Sequence, residues 1–73
     1  MNKVKEYREH TGLTRQKLAE KLGIAYSGLY YIESGRNPSL PIAFKLANFF
    51  GVSIEELFPQ FKDTMKGKTP AGV

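Results

Sequence analysis

The stretch Leu13-Thr14-Arg15-Gln16-Lys17-Leu18-Ala19-Glu20-Lys21-Leu22-Gly23-Ile24 decides the fold. Leu18, Ala19 and Leu22 recur at three- and four-residue spacing, which predicts a helix over residues 15–22 with one apolar stripe. Thr14 is placed to cap it, because its hydroxyl can accept an orphan N–H of the first turn. Gly23 follows at once, a residue that ends helices in the left-handed region. Ile24 then resumes the apolar pattern without a spacer, so a second helix must start immediately. Helix, glycine, helix describes a tight corner between two packed helices.

Working outward, the same spacing and punctuation continue on both sides. Val4 and Tyr7 face inward from a first helix over residues 2–10, stopped at Gly12. Leu29 and Ile32 face one way on a third helix over residues 26–34, while Tyr26, Ser27, Tyr30 and Tyr31 cluster on the opposite side. Gly28 lies within that short helix at a cost of about 1 kcal/mol relative to alanine. Such a glycine fits a place where a side chain would obstruct something. A fourth helix spans residues 40–50, capped by Ser39, with Pro41 in its first turn, where proline is tolerated. Phe44, Leu46, Ala47 and Phe50 are its expected core face. A fifth, short helix covers residues 54–58. Its Ser53 and Glu56 have the spacing of a capping box, and Pro59 stops it. No useful segment alternates with period two, so the expected fold class is all-α. Residues 1–59 read as one domain and residues 60–73, rich in Lys, Gly, Thr and Pro, as a flexible tail.

Composition narrows the function. The chain has 73 residues, enough for one small domain. It has no cysteine, which removes disulfides, thiolate metal sites and cysteine nucleophiles. Its one histidine, His10, leaves no conventional catalytic triad and no usual metal cluster. The expectation is no enzymatic activity, no metal and no cofactor. The net charge of +4 favours an anionic partner such as nucleic acid. That charge is spread out: residues 1–58 carry eight basic and six acidic side chains. The amino terminus has no signal-like apolar core, and Lys45 breaks the best apolar run. The cytosol is the expected location, with no membrane partner.

The stretch from Leu13 to Ile24 resembles the first half of a Cro/phage-repressor type helix-turn-helix, also called the xenobiotic-response-element family. The resemblance continues through Ile32-Glu33-Ser34-Gly35-Arg36-Asn37-Pro38-Ser39-Leu40, Phe44-Lys45-Leu46-Ala47 and Gly51-Val52-Ser53-Ile54-Glu55-Glu56-Leu57-Phe58. It implies a compact five-helix, lambda-repressor-like DNA-binding domain in which helices 2 and 3 form the DNA-binding unit. The family's base-reading positions fall on Tyr26, Ser27 and Tyr31, with Tyr30 adjacent. An α-helix fits the major groove of B-DNA, and its outward side chains then meet base edges. Gly28 would let the helix backbone come close to the sugar-phosphate chain.

Expected phosphate contacts flank that helix. Thr14, Arg15 and Gln16 lie at the start of helix 2, where free N–H groups and the helix dipole favour anions. Arg36 and Asn37 match the family's phosphate-contacting loop. Arg15 stands where the family usually carries glutamine, that loop is one residue shorter than usual, and Ala25 replaces a common serine cap. Arg8 and Glu33 match a recurrent family ion pair that fastens helix 1 to helix 3.

The resemblance implies a dimeric, sequence-specific transcriptional regulator, a repressor that occupies an inverted-repeat operator in double-stranded DNA. Phe49 and Phe61 are the expected homodimer residues, and Phe58 is expected in the core. A regulatory protein partner is a further expectation. The rival reading is a protein-interaction module, antitoxin-like or anti-repressor-binding, in which the exposed aromatics bind protein and DNA binding is secondary.

Overall fold

The computed structural model describes residues 2–61, and over them the chain forms five α-helices. They are α1 (Val4–Thr11), α2 (Arg15–Leu22), α3 (Tyr26–Glu33), α4 (Leu40–Phe50) and α5 (Ile54–Leu57). No strand occurs among the described residues. From residue 62 onward the expected tail lies outside the described residues.

The helix boundaries follow from local chemistry. Helix α1 starts at Val4, two residues later than the periodicity predicts. The side chain of Asn2 is used differently: its Oδ1 accepts from Val4 N–H at 3.1 Å and its Nδ2 donates to the Ile32 carbonyl at 2.7 Å. Thr14 caps α2 by accepting from Lys17 N–H at 3.1 Å. Ser53 and Glu56 complete the expected capping box, each side chain accepting from the other's backbone at 3.1 Å. Ser34 is the C-cap of α3 rather than its last residue. Phe58 likewise lies just beyond α5.

The corner between α2 and α3 is made by Gly23 at φ 69°, a conformation that side-chain-bearing residues rarely adopt. The chain then turns back so tightly that Ile24 N–H donates to the Ala19 carbonyl at 3.0 Å. Lys45 from α4 donates to the Leu22 carbonyl at 3.2 Å, satisfying one of the orphan acceptors at the end of α2.

One core serves all five helices. It contains Val4, Leu18, Ala19, Leu29, Ile32, Ala43, Leu46, Ala47, Ile54, Leu57 and Phe58. Leu18, Leu29, Leu46 and Leu57 are fully enclosed, each worth about 1.5–3 kcal/mol of burial. Tyr7, Leu22 and Phe50 pack on its margin.

Helix α4 departs from expectation in its phase. Phe44 is 51% exposed and does not belong to the core face, whose stripe is Ala43, Leu46, Ala47 and Phe50. Successive helical residues are rotated by about 100°, so burying Ala43 turns Phe44 outward. Leu40, one turn before Phe44, is exposed beside it. Phe49 emerges on the other shoulder of the stripe, 39% exposed, with its ring edge-on to Phe50 at 5.2 Å. Phe58 fills the core, as expected, and Phe61 stacks on it at 5.5 Å, half-buried. No helix among the described residues is long and apolar enough to cross a membrane.

Helices α1 and α3 are joined through charge. Arg8 is buried, and its guanidinium forks onto Glu33: Nε donates to Oε2 at 2.7 Å and Nη2 to Oε1 at 3.2 Å. Its remaining arm donates to the Leu13 carbonyl at 2.8 Å. Satisfying every arm matters because an unpaired buried charge costs several kcal/mol.

Candidate nucleic-acid interface

The outward side of α3 carries Tyr26, Ser27, Tyr30 and Tyr31, all exposed, with each tyrosine close to half accessible. The structure therefore brings together all four residues expected on that face. They stand there because Leu29 and Ile32 bury the opposite side of the helix. Ala25 gives α3 no side-chain cap, so the first-turn N–H groups point outward without a protein acceptor from that residue. A Cβ built on Gly28 meets nothing within 4 Å. The glycine is therefore not required by packing within the described chain, and α3 presents bare backbone at that point.

The rings are tied to arginines. Tyr30 and Tyr31 pack edge-to-face with centroids 5.5 Å apart. The Arg15 guanidinium lies 5.3 Å from the Tyr30 ring centre, and that of Arg36 4.9 Å from the Tyr31 ring centre, both within cation–π range. Arg15 also donates from Nε to Glu33 Oε1 at 3.0 Å and from Nη1 to the Tyr26 hydroxyl at 3.3 Å. Acceptance by Glu33 first, and by Tyr26 second, holds the Arg15 guanidinium even more firmly protonated than usual. Arg36 has no carboxylate partner among the described residues.

Thr14, Arg15 and Gln16 flank this face at the start of α2. With Arg8 and Tyr26 they line an open recess of about 380 Å³. Thr14 spends its hydroxyl on the cap, whereas Gln16 is exposed. On the other flank, Asn37 is exposed and its Oδ1 accepts from Gln60 Nε2 at 2.9 Å. His10 is exposed in the last turn of α1.

Two features of the site escape sequence reading. Glu33 is more than half of an ion pair: it accepts from both Arg8 and Arg15 and so connects α1, α2 and α3. Gln60 braces the loop that holds Asn37. Neither pairing has a spacing signal, since the partners lie 18 and 23 residues apart and meet only through the packing of helices.

The helix-turn-helix family model matches residues 4–57, nearly all of the described chain. The chain belongs to this family, the Cro/phage-repressor type of DNA-binding transcriptional regulator. Among similar curated proteins, an uncharacterised HTH-type transcriptional regulator of Methanocaldococcus jannaschii is 50% identical over 58 residues, covering 78% of this chain and 88% of the relative. A second, from Archaeoglobus fulgidus, is 36% identical over 67 residues, covering 90% of this chain and 96% of its own length. A third, from Bacillus subtilis, is 38% identical over 58 residues, covering 78% and 88%. No solved structure matches the chain significantly.

Proposed function

We propose that the protein is a sequence-specific transcriptional regulator that acts as a repressor, laying α3 in the major groove of an inverted-repeat operator. The observation that carries this reading is the α3 face itself: three half-exposed tyrosines and a serine, with an arginine stacked on each side. Tyr26, Ser27, Tyr30 and Tyr31 meet base edges, where hydroxyls donate or accept and rings pack on thymine methyl groups. Thr14, Arg15 and Gln16 grip one strand, and Arg36 and Asn37 the other, through phosphate contacts. Helix α3 has no basic residue of its own, so discrimination rests on hydroxyls and ring contacts, at the low end of about 1–3 kcal/mol per base pair.

A single module makes few phosphate contacts, and two-fold operators pair with two-fold proteins. The active form in this reading is a homodimer that uses Phe49, with Phe61 at the edge of the contact. Exposure of Phe49 supports it. Repression follows from occupying the operator, with regulation by concentration or by a protein partner.

Selection of bound sequences from a random duplex pool tests the reading. The expected product is an inverted repeat with half-sites about one helical turn apart. Affinity for it falls steeply with salt, and Arg36→Ala reduces the log–log slope by about 0.9, one phosphate's worth of counterions. Enrichment of no sequence, or salt-independent binding, overturns the proposal. A stoichiometric protein partner covering α3 would establish the interaction-module reading instead.

A further inference from the structure

The Arg15 side chain does more than face a strand, and its bonds show where its influence goes. Nε is held by Glu33 Oε1 at 3.0 Å, and Glu33 is itself anchored by buried Arg8. The planar guanidinium is therefore fixed from behind. Its forward arm then donates to the Tyr26 hydroxyl at 3.3 Å, and its central carbon lies over the Tyr30 ring, 5.3 Å from the ring centre. Tyrosine at the surface of a helix ordinarily moves among rotamers, and ordering it on binding costs affinity for the matched and mismatched site alike. A tyrosine already held in one rotamer meets one base edge well and the others badly.

We infer that Arg15 is a positioning residue for sequence selectivity: anchored on Glu33, it presets the Tyr26 hydroxyl and the Tyr30 ring before DNA arrives. The inference rests on the reading of α3 as the face that docks DNA. It assigns Arg15 a function separable from phosphate contact, because a phosphate needs positive charge while the two tyrosines need a flat, forked group. Lysine supplies the first and not the second.

Arg15→Lys is thus the informative variant. On the duplex selected by the parent, and on single-base changes opposite Tyr26 and Tyr30, the variant loses about tenfold of the parent's preference, the lower end of one base-pair contact. Its affinity for unrelated duplex falls by much less than that factor, because lysine keeps the positive charge at the strand. Tyr26→Phe removes only the hydroxyl that Arg15 holds. It lowers the preference in the parent background and changes nothing further in the Arg15→Lys background. In the free protein, Arg15→Lys shifts the ring resonances of Tyr26 and Tyr30 while helix content stays constant. Retained preference in Arg15→Lys, an equal loss on every duplex, or additive effects of the two substitutions would overturn the assignment and leave the DNA-docking face standing. A parent that selects no duplex would overturn both together.

Discussion

Helices α3 and α4 each leave large apolar side chains in solvent: Tyr26, Tyr30 and Tyr31 on one, Leu40, Phe44 and Phe49 on the other. The amounts of exposed side chain are similar, and the chemistry is opposite. Each ring of α3 ends in a hydroxyl, and arginines from outside the helix organise all three. The residues of α4 are hydrocarbon throughout and sit on the two shoulders of a buried stripe. An aromatic body with a polar tip suits a partner that keeps water and charge at the contact, whereas bare phenylalanine suits a dry one. Exposed area alone therefore does not tell the two faces apart; the polar atoms at the edge of α3 do.

The sharpest break in this comparison is Glu33→Ala. It strips the carboxylate from two arginines, one of them buried, and costs about 3–5 kcal/mol in urea titration. A domain of this size has little more than that to lose. Unchanged stability would show that the charge network is ornamental. The next effect is on α3 itself. Tyr31→Ala relaxes base preference at one position in competition binding by about 1 kcal/mol, the low end of a base-pair contact, with affinity for unrelated DNA kept. Equal loss on all sequences would move Tyr31 from the bases to the backbone.

Ala25→Ser supplies the missing cap of α3 and stabilises the domain by about 1 kcal/mol, which raises Tm by about 4–8 °C. On α4 the expected effects on folding are smallest. Phe44→Ser and Phe49→Ala each shift stability by less than about 1 kcal/mol, because both side chains are partly exposed and neither belongs to the buried core. In sedimentation, Phe49→Ala weakens self-association. An unchanged monomer–dimer constant would remove Phe49 from the dimer contact.

The same two helices show what the sequence could reveal. The four outward residues of α3 were readable because only Leu29 and Ile32 compete for its inner side, so the helix has one possible phase. Helix α4 reads Leu-Pro-Ile-Ala-Phe-Lys-Leu-Ala-Asn-Phe-Phe, apolar almost all the way round. Periodicity finds such a helix but does not orient it, and it favours the large Phe44 for the core where the structure buries small Ala43. The caps at Thr14, Ser39 and Ser53 are local chemistry and were legible for that reason. Arg15 was legible as a flanking cation, but its bonds to Glu33 and Tyr26 depend on how α2 crosses α3, which no spacing along the chain encodes.

Gly28 leaves a clearance one methyl group thick on the outward surface of α3, and that clearance works as a gauge. Alanine would fill it without touching any neighbour and would firm up the helix by about 1 kcal/mol. A chain that melts higher with alanine yet releases its operator sooner would reveal strands seated hard against naked peptide. One that melts higher and holds equally well would put the duplex at ordinary stand-off.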